Sequence, residues 1–232
     1  MKSSIALFVT ALFTIAGFQI LSAQRGAPPQ QGDPEAGLTA TRPPLLFVET
    51  WKEPPHTAPL TNAERLVGPQ VLSNPDLELK LYGPDVKMVS VNPHEGRLDI
   101  WNGDAASPIA VTLRHKTSYL DLRGLSRLRW ILRTSGLHVI HPVLKLADGT
   151  LIAGSHADDT DGTFLQSEIA FTNQRWVKLD PIKIVTGAVV ANPDLSKVDE
   201  IGWVDLAPGG GRGSAGWANI STIELYAKAV PR

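Results

Sequence analysis

The chain has 232 residues, of which 43% are hydrophobic, enough to build one sizeable core. Its 22 basic and 23 acidic residues almost balance, so charge gives no argument for nucleic acid or an anionic membrane as a partner. The absence of cysteine excludes disulfide bonds, thiol catalysis and cysteine-ligated zinc.

The N-terminus has the pattern of a secretory signal peptide. Lys2 precedes an almost wholly apolar run from Ile5 to Ile20, and Ala23 supplies a small residue at the expected cleavage point. An apolar run of ~16 residues is short of the ~20 that a membrane helix needs, which favours a cleaved signal over residues 1–23 against an uncleaved anchor. We therefore expect export to the periplasm or the medium, with no membrane span after cleavage.

Residues 24–44 are rich in proline, glycine and glutamine and have almost no large apolar side chain before Leu38. Such a segment cannot bury enough surface to order itself, so we predict a disordered linker. The folded domain is then expected to cover residues 45–232.

Short apolar runs separated by turn signals every eight to twelve residues indicate an all-β domain. Thr61 to Val67 is the one early helix candidate, because Glu64 follows Thr61 at the spacing of a capping box. The pattern predicts an antiparallel β-sandwich of jelly-roll type with at most one or two short helices. The expected strands are 45–48, 77–82, 88–91, 98–101, 109–116, 119–122, 127–133, 138–147, 164–172, 176–185, 201–206 and 220–227.

The central stretch, 120–156, carries the clearest strand signals. Apolar residues alternate with Arg127, Arg129 and Arg133, which is typical of a strand with one buried face. Asp148-Gly149 predicts a two-residue hairpin loop that would place Ala147 opposite Thr150. In that register His141 faces His156 and Val143 faces Gly154, while the core face holds Leu144, Leu146, Leu151 and Ala153.

Five segments together resemble the galactose-binding-like β-sandwich modules, including the complex I intermediate-associated type and related carbohydrate-binding modules. The segments are LDLRGLSRLRW, LKLADGT, RWVKLD, VDEIGWVDL and NISTIEL, within residues 98–227. The chain is also similar to exported bacterial proteins that accompany keto-glycoside-processing enzymes. The resemblance implies the fold and glycan binding, a partner enzyme being possible, and carries over no catalytic residue.

Two candidate sugar sites follow from the residues. Planar polar side chains and an exposed aromatic ring are what such a site needs. One candidate is a polar sheet face, for which the alternative is an ordinary solvated face; it holds Arg129, Arg133, His141, Lys145 and His156. The other lies in loops at one end of the sandwich and holds Trp101, Asp104, Arg212 and Trp217.

A metal is a weaker expectation. The acidic turn with Asp158, Asp159 and Asp161 could hold a structural calcium ion, although it lacks the full spacing of an EF-hand and would equally suit a plain polar loop. His141 and His156 have no third ligand placed by the sequence, which argues against a catalytic metal. No other cofactor is predicted.

The leading interpretation is an exported, non-catalytic carbohydrate-binding protein. The alternatives are a secreted glycoside hydrolase or lyase that uses aspartate or glutamate as acid and base, and an envelope protein that binds a protein partner. Asp199, Glu200 and Asp205 lie on or beside one strand and are the candidate carboxylates for catalysis. Neither a Gly-x-Ser-x-Gly elbow nor a His-Glu-x-x-His motif occurs.

Overall fold

The structure, a computed structural model, describes residues 41–61, 63–207 and 216–232. The predicted signal peptide, most of the predicted linker and Arg212 lie outside the described residues. Within those ranges, no helix has both the length and the apolar character to cross a membrane.

Fifteen strands and two single 3-10 turns make up the described residues, as the sequence predicted for an all-β chain. The 3-10 turns are Pro69–Val71 and Val86–Met88. The strands are β1 Leu45–Glu49, β2 Leu77–Tyr82, β3 Ser90–His94, β4 Arg97–Trp101, β5 Ile109–His115, β6 Ser118–Asp121, β7 Arg127–Gly136, β8 Ile140–Leu146, β9 Leu151–Gly154, β10 Leu165–Ala170, β11 Trp176–Leu179, β12 Thr186–Val190, β13 Val198–Asp205, β14 Gly216–Tyr226 and β15 Lys228–Pro231.

The strands form two antiparallel sheets. The six-stranded sheet has the order β10-β7-β14-β4-β3, with β1 paired to β14. The nine-stranded sheet has the order β12-β11-β9-β8-β13-β5-β2, with β6 paired to β13 and β15 to β6. Both sheets contribute to one apolar core, in which Trp130 and Ile220 from the first sheet share a cluster with Trp203 and Leu113 from the second. The predicted β-sandwich is therefore confirmed.

A second, smaller apolar cluster lies on the outer face of the nine-stranded sheet. It contains Val143, Leu151 and Ala153, and the turn after β11 covers it with the buried side chain of Ile184. This face therefore has its own small core instead of a continuous polar surface. The predicted strand 176–185 is wrong in its second half, because only β11 at Trp176–Leu179 is strand, the chain turns back at Asp180, and the next strand, β12, begins at Thr186.

The register predicted for the β8–β9 hairpin is wrong by one residue. Val143 pairs with Ala153 and Lys145 with Leu151, so the loop has three residues and not two. Gly149 has φ +86, which fits a type I turn followed by a left-handed residue. Consequently Leu144 and Leu146 do face the main core, but Ile152 joins them there in place of Leu151 and Ala153.

The predicted polar face is also wrong, because its residues belong to different sheets. Arg129 and Arg133 lie on β7, which pairs with β10 and β14. His141 and Lys145 lie on β8, which pairs with β9 and β13. The two strands are consecutive in the chain, but the connection after Gly136 crosses from one sheet to the other.

Candidate functional site

A groove of about 900 Å³ lies on the outer face of the six-stranded sheet. Its floor and one side come from the outward-facing residues of β3, β4, β7 and β14. The opposite side comes from the turns at 63–66 and 87–88, which are held against β3 by the bridge between Leu66 and Ser90. The lining residues are Ala63, Arg65, Leu66, Lys87, Met88, Ser90, Asn92, Pro93, His94, Trp101, Asp104, Arg133, Trp217 and Asn219.

Two tryptophans give the groove its aromatic surface, and both are partly exposed. Trp101 ends β4 and Trp217 lies at the start of β14. Gly103 packs against the Trp101 ring, since a Cβ atom there would lie 2.3 Å from the ring atom Cζ2. The orientation of this indole therefore depends on a residue without a side chain.

A buried polar network fixes the two segments that carry these tryptophans. Asn102, next to Trp101, accepts a hydrogen bond at Oδ1 from the amide of Ala218, next to Trp217, at 2.7 Å. Its Nδ2 donates to Asp205 Oδ2 at 2.6 Å, and His138 Nδ1 lies 2.5 Å from the same oxygen. Asp205 and His138 are both fully enclosed. The network thus sets the position of both rings from below.

Arg133 projects into the groove between two aromatic rings. Its guanidinium carbon lies 4.7 Å from the centroid of Trp217 and 5.1 Å from that of Phe164. It forms no ion pair with any described residue, and burial lowers its pKa. A guanidinium stacked in this way keeps its edge, with its donor groups, directed at a ligand.

Of the predicted loop site, the structure brings Trp101, Asp104 and Trp217 together, and it adds Arg133 from the predicted sheet face. Arg212 lies outside the described residues. Arg129 is on the same face of β7, four residues from Arg133, but its guanidinium donates to Glu224 Oε2 and to the Tyr226 hydroxyl. Its donor groups are therefore occupied.

The remaining residues of the predicted face have internal partners in or near the nine-stranded sheet. Lys145 donates to the Tyr82 hydroxyl at 3.0 Å and to Glu200 Oε1 at 3.1 Å. His141 Nδ1 contacts the backbone oxygen of His156 at 2.8 Å, so these two histidines do not share the opposed position that the sequence predicted. None of the three lines the groove.

The acidic turn does not form a common ligand shell. Asp158 is buried and accepts hydrogen bonds from Trp130 Nε1 at 2.7 Å and from His156 at 2.9 Å. Asp161 accepts from the Thr163 hydroxyl at 2.8 Å, and Asp159 is exposed. Among the described residues, no group of three histidine, aspartate or glutamate side chains could hold a metal ion. Calcium binding by these three residues remains a prediction.

The carboxylates considered for catalysis are each engaged elsewhere. Asp199 pairs with Arg114 at 3.0 Å and with Arg232 at 2.5 Å, while Glu200 is buried beneath Tyr82, Thr112 and Lys145. Asp205 belongs to the network below the tryptophans. None of the three lines the groove.

Sequence reasoning missed several groove residues. Asn92 and His94 on β3 and Asn219 on β14 line the groove, whereas Asp99 on β4 faces the same side of the sheet but is buried and does not line the groove. The usable signal was the polar residue at every second position of 90–94 and of 97–101, which marks the solvent-facing side of two paired strands. Which strands would become neighbours was not readable from spacing alone.

No family model and no curated protein matches the sequence. The solved structures that are similar include a family 29 carbohydrate-binding module (TM-score 0.41, 9% identity, covering 78% of this chain and 85% of that chain). Others are the family 11 module of the cellulosomal cellulase Lic26A-Cel5E of Clostridium thermocellum (0.37, 9%, 67% and 85%) and an exo-beta-agarase (0.39, 10%, 68% and 24%). TM-scores below 0.5 say nothing about what this chain binds.

Proposed function

We propose that this protein is exported and binds a carbohydrate in the groove of the six-stranded sheet without cleaving it. The observation that carries the proposal is the pairing of Trp101 and Trp217 with the stacked guanidinium of Arg133 in one open groove. Tryptophan rings pack against the apolar faces of sugar rings, and planar polar groups bond their hydroxyls.

The amides of the groove fit the same ligand. Asn92 and Asn219 both line the groove, on strands either side of β4, and amide groups both donate and accept hydrogen bonds. A volume of about 900 Å³ is within the range of ligand sites, roughly 300–1,000 Å³, so it would hold a short oligosaccharide.

The carboxylates argue for binding without cleavage. Glycoside hydrolysis commonly uses two carboxyl groups about 5–9.5 Å apart, on either side of the bond to be cleaved. Asp104 is the only carboxylate among the described residues that line the groove. The described residues that line the groove therefore supply no second carboxylate to act as acid or base.

A glycan array with the chain from residue 24 onward tests the proposal. We expect Trp217→Ala and Trp101→Ala each to weaken binding by about 10-fold or more, because truncating an aromatic anchor commonly costs about 2 kcal/mol. Arg133→Ala should weaken binding too, since it removes the donor edge held between two rings. Titration calorimetry on the best array ligand measures these changes.

Arg129→Ala is the matched control. It removes an arginine from the same strand and face, but one whose donors Glu224 and Tyr226 already occupy. Binding should be unchanged. An affinity loss in Arg129→Ala equal to that in Arg133→Ala would place the ligand elsewhere on the sheet, and an array without any positive glycan would refute the proposal.

A further inference from the structure

The ring of Phe164 lies across the six-stranded sheet at one end of the groove. Its centroid is 5.9 Å from that of His94 and 5.6 Å from the guanidinium carbon of Arg97. On its other side it is 5.1 Å from the guanidinium carbon of Arg133. Arg133 lies on β7, Arg97 on β4 and His94 on β3. Since β14 lies between β7 and β4, the ring lies above β14. Asn219 is the β14 partner of Arg133 and Asp99 is two residues from Arg97, so both adjoin positions whose side chains the ring contacts.

Three polar atoms at this place are shielded from solvent and have no hydrogen-bond partner among residues 41–61, 63–207 and 216–232: Asp99 Oδ1, Asn219 Oδ1 and Arg133 Nε. The hydrogen bond from Asn219 Nδ2 to Asp99 Oδ2, at 2.9 Å, satisfies only the other atoms of the first two side chains. Buried polar groups in folded proteins are almost always paired, and an unpaired one costs free energy. Three such atoms close together indicate a site whose hydrogen bonds are incomplete while Phe164 lies over it.

Burial also affects the ionisation of Asp99 and Arg133. Burial raises the pKa of Asp99 and lowers the pKa of Arg133, so it disfavours the charged form of each. The two side chains attract each other but do not form an ion pair within 4.0 Å. A ligand that supplied both a donor and an acceptor between them would remove this cost.

We propose that Phe164 covers a second sugar subsite, in which Asp99 and Asn219 accept hydrogen bonds from sugar hydroxyls and Arg133 donates one. The ligand class is an oligosaccharide longer than the open groove holds, and this inference rests on the proposed function. Neighbouring hydroxyls of a sugar ring can donate to a carboxylate and accept from a guanidinium at the same time.

The cover opens by rotation of one side chain. Thr160 is held by two reciprocal hydrogen bonds with Thr134, each 2.8 Å, and Leu165 is paired with Leu132. Both ends of the short turn that carries Phe164 are thus fixed to β7. The ring can still change its rotamer, which in a partly exposed side chain needs no movement of the backbone.

The test uses size ladders of two to six sugar units from cello-, manno- and agaro-oligosaccharides. In the unmodified chain we expect affinity to rise by about 10-fold or more at the length that first reaches past Phe164, as a charge-assisted hydrogen bond would produce. Asp99→Asn should remove most of that step and leave the affinity for the shortest ligand unchanged. Phe164→Ala should retain the step, because it uncovers the subsite without altering it.

A second readout separates a binding role from a structural one. Because Asn219 lines the groove and its Oδ1 is one of the unpaired atoms, its side-chain amide resonance should shift further with the long ligand than with the shortest one. Thr222→Val is the matched control, since Thr222 is on the same face of β14 but outside the groove lining, and it should keep the length step.

The outcomes distinguish the two proposals. Binding that needs Trp217 but shows no length step, with Asp99→Asn unchanged, would overturn the covered subsite and leave the groove as the site. Loss of long-ligand binding in Phe164→Ala, again with Asp99→Asn unchanged, would show that the ring itself is the contact surface. Absence of binding to every ladder and every array glycan would overturn both proposals.

Discussion

The carboxylate of Asp158 joins the turn after β9 to the core. It accepts hydrogen bonds from the buried indole of Trp130 and from His156. Burial on its own would raise the pKa of Asp158, but these hydrogen bonds outweigh it and lower the pKa. The ionised form is therefore the one that the folded state stabilises.

The stability of the protein should depend on pH through this residue. Because folding lowers the pKa, the stabilisation is fully present above the unfolded value of about 3.9 and is lost as the pH falls through the folded value. We expect Asp158→Asn to lower the free energy of unfolding by about 2 kcal/mol at pH 7. Urea unfolding at several pH values should show this difference shrinking below about pH 4.

Asp159→Asn changes the exposed neighbouring carboxylate and serves as the control, with little effect at any pH. A difference between Asp158→Asn and the unmodified chain that stayed constant down to pH 3 would contradict the assignment.

Single residues also show what alternation along a strand can and cannot predict. The period-two pattern correctly places Arg129 and Arg133 on the outer face of β7. It gives them equal weight as binding residues, although one is held by Glu224 and Tyr226 and the other by two rings alone. The partners of Arg129 are 95 and 97 residues away in the chain, so only the pairing of β7 with β14 distinguishes the two arginines.

At the scale of strands, β13 lies between β8 and β5 and approaches the latter closely at Gly202. A Cβ atom at this position would lie 2.0 Å from the backbone oxygen of Val111. Neither backbone can move without breaking the ladder on one side of β13. We therefore expect Gly202→Ala to destabilise the protein far beyond the ~1 kcal/mol of an average substitution.

Soluble yield and thermal unfolding measure this effect. Gly187→Ala is the comparison, because a Cβ atom there, on edge strand β12, would only touch the Lys178 side chain at 3.6 Å. Its unfolding temperature should be almost unchanged. Similar behaviour of the two variants would show that β13 can shift away from β5.

The strands themselves were largely predictable, and their ends and registers were not. Alternation indicated β7 and the apolar runs indicated β5, β8 and β13. The hairpin register failed because Gly149 allows a three-residue loop where a two-residue loop fits the same letters. Ile182, Ile184 and Val185 were interpreted as part of a strand, whereas Ile184 is buried because it covers the small second core.

For the whole molecule, calcium is the expectation that the geometry supports least. A bound ion stabilises a fold by mass action, by about 2.7 kcal/mol at a concentration 100 times its dissociation constant. Because the three aspartates of the acidic turn do not converge, we expect the unfolding temperature to be the same in EDTA and in millimolar calcium. A rise of several degrees with calcium would instead support the predicted ion site.

The pairing of β1 with β14 has a consequence for the time at which the molecule can fold. Trp51, just after β1, donates its indole hydrogen bond to Ile220, 169 residues later in the chain. Until β14 has been synthesised, β1 has no strand to pair with, and the six-stranded sheet lacks the strand that joins β7 to β4. The six-stranded sheet can therefore be completed only after residues 216–226 have been synthesised, so its assembly is one of the last steps of folding on the ribosome.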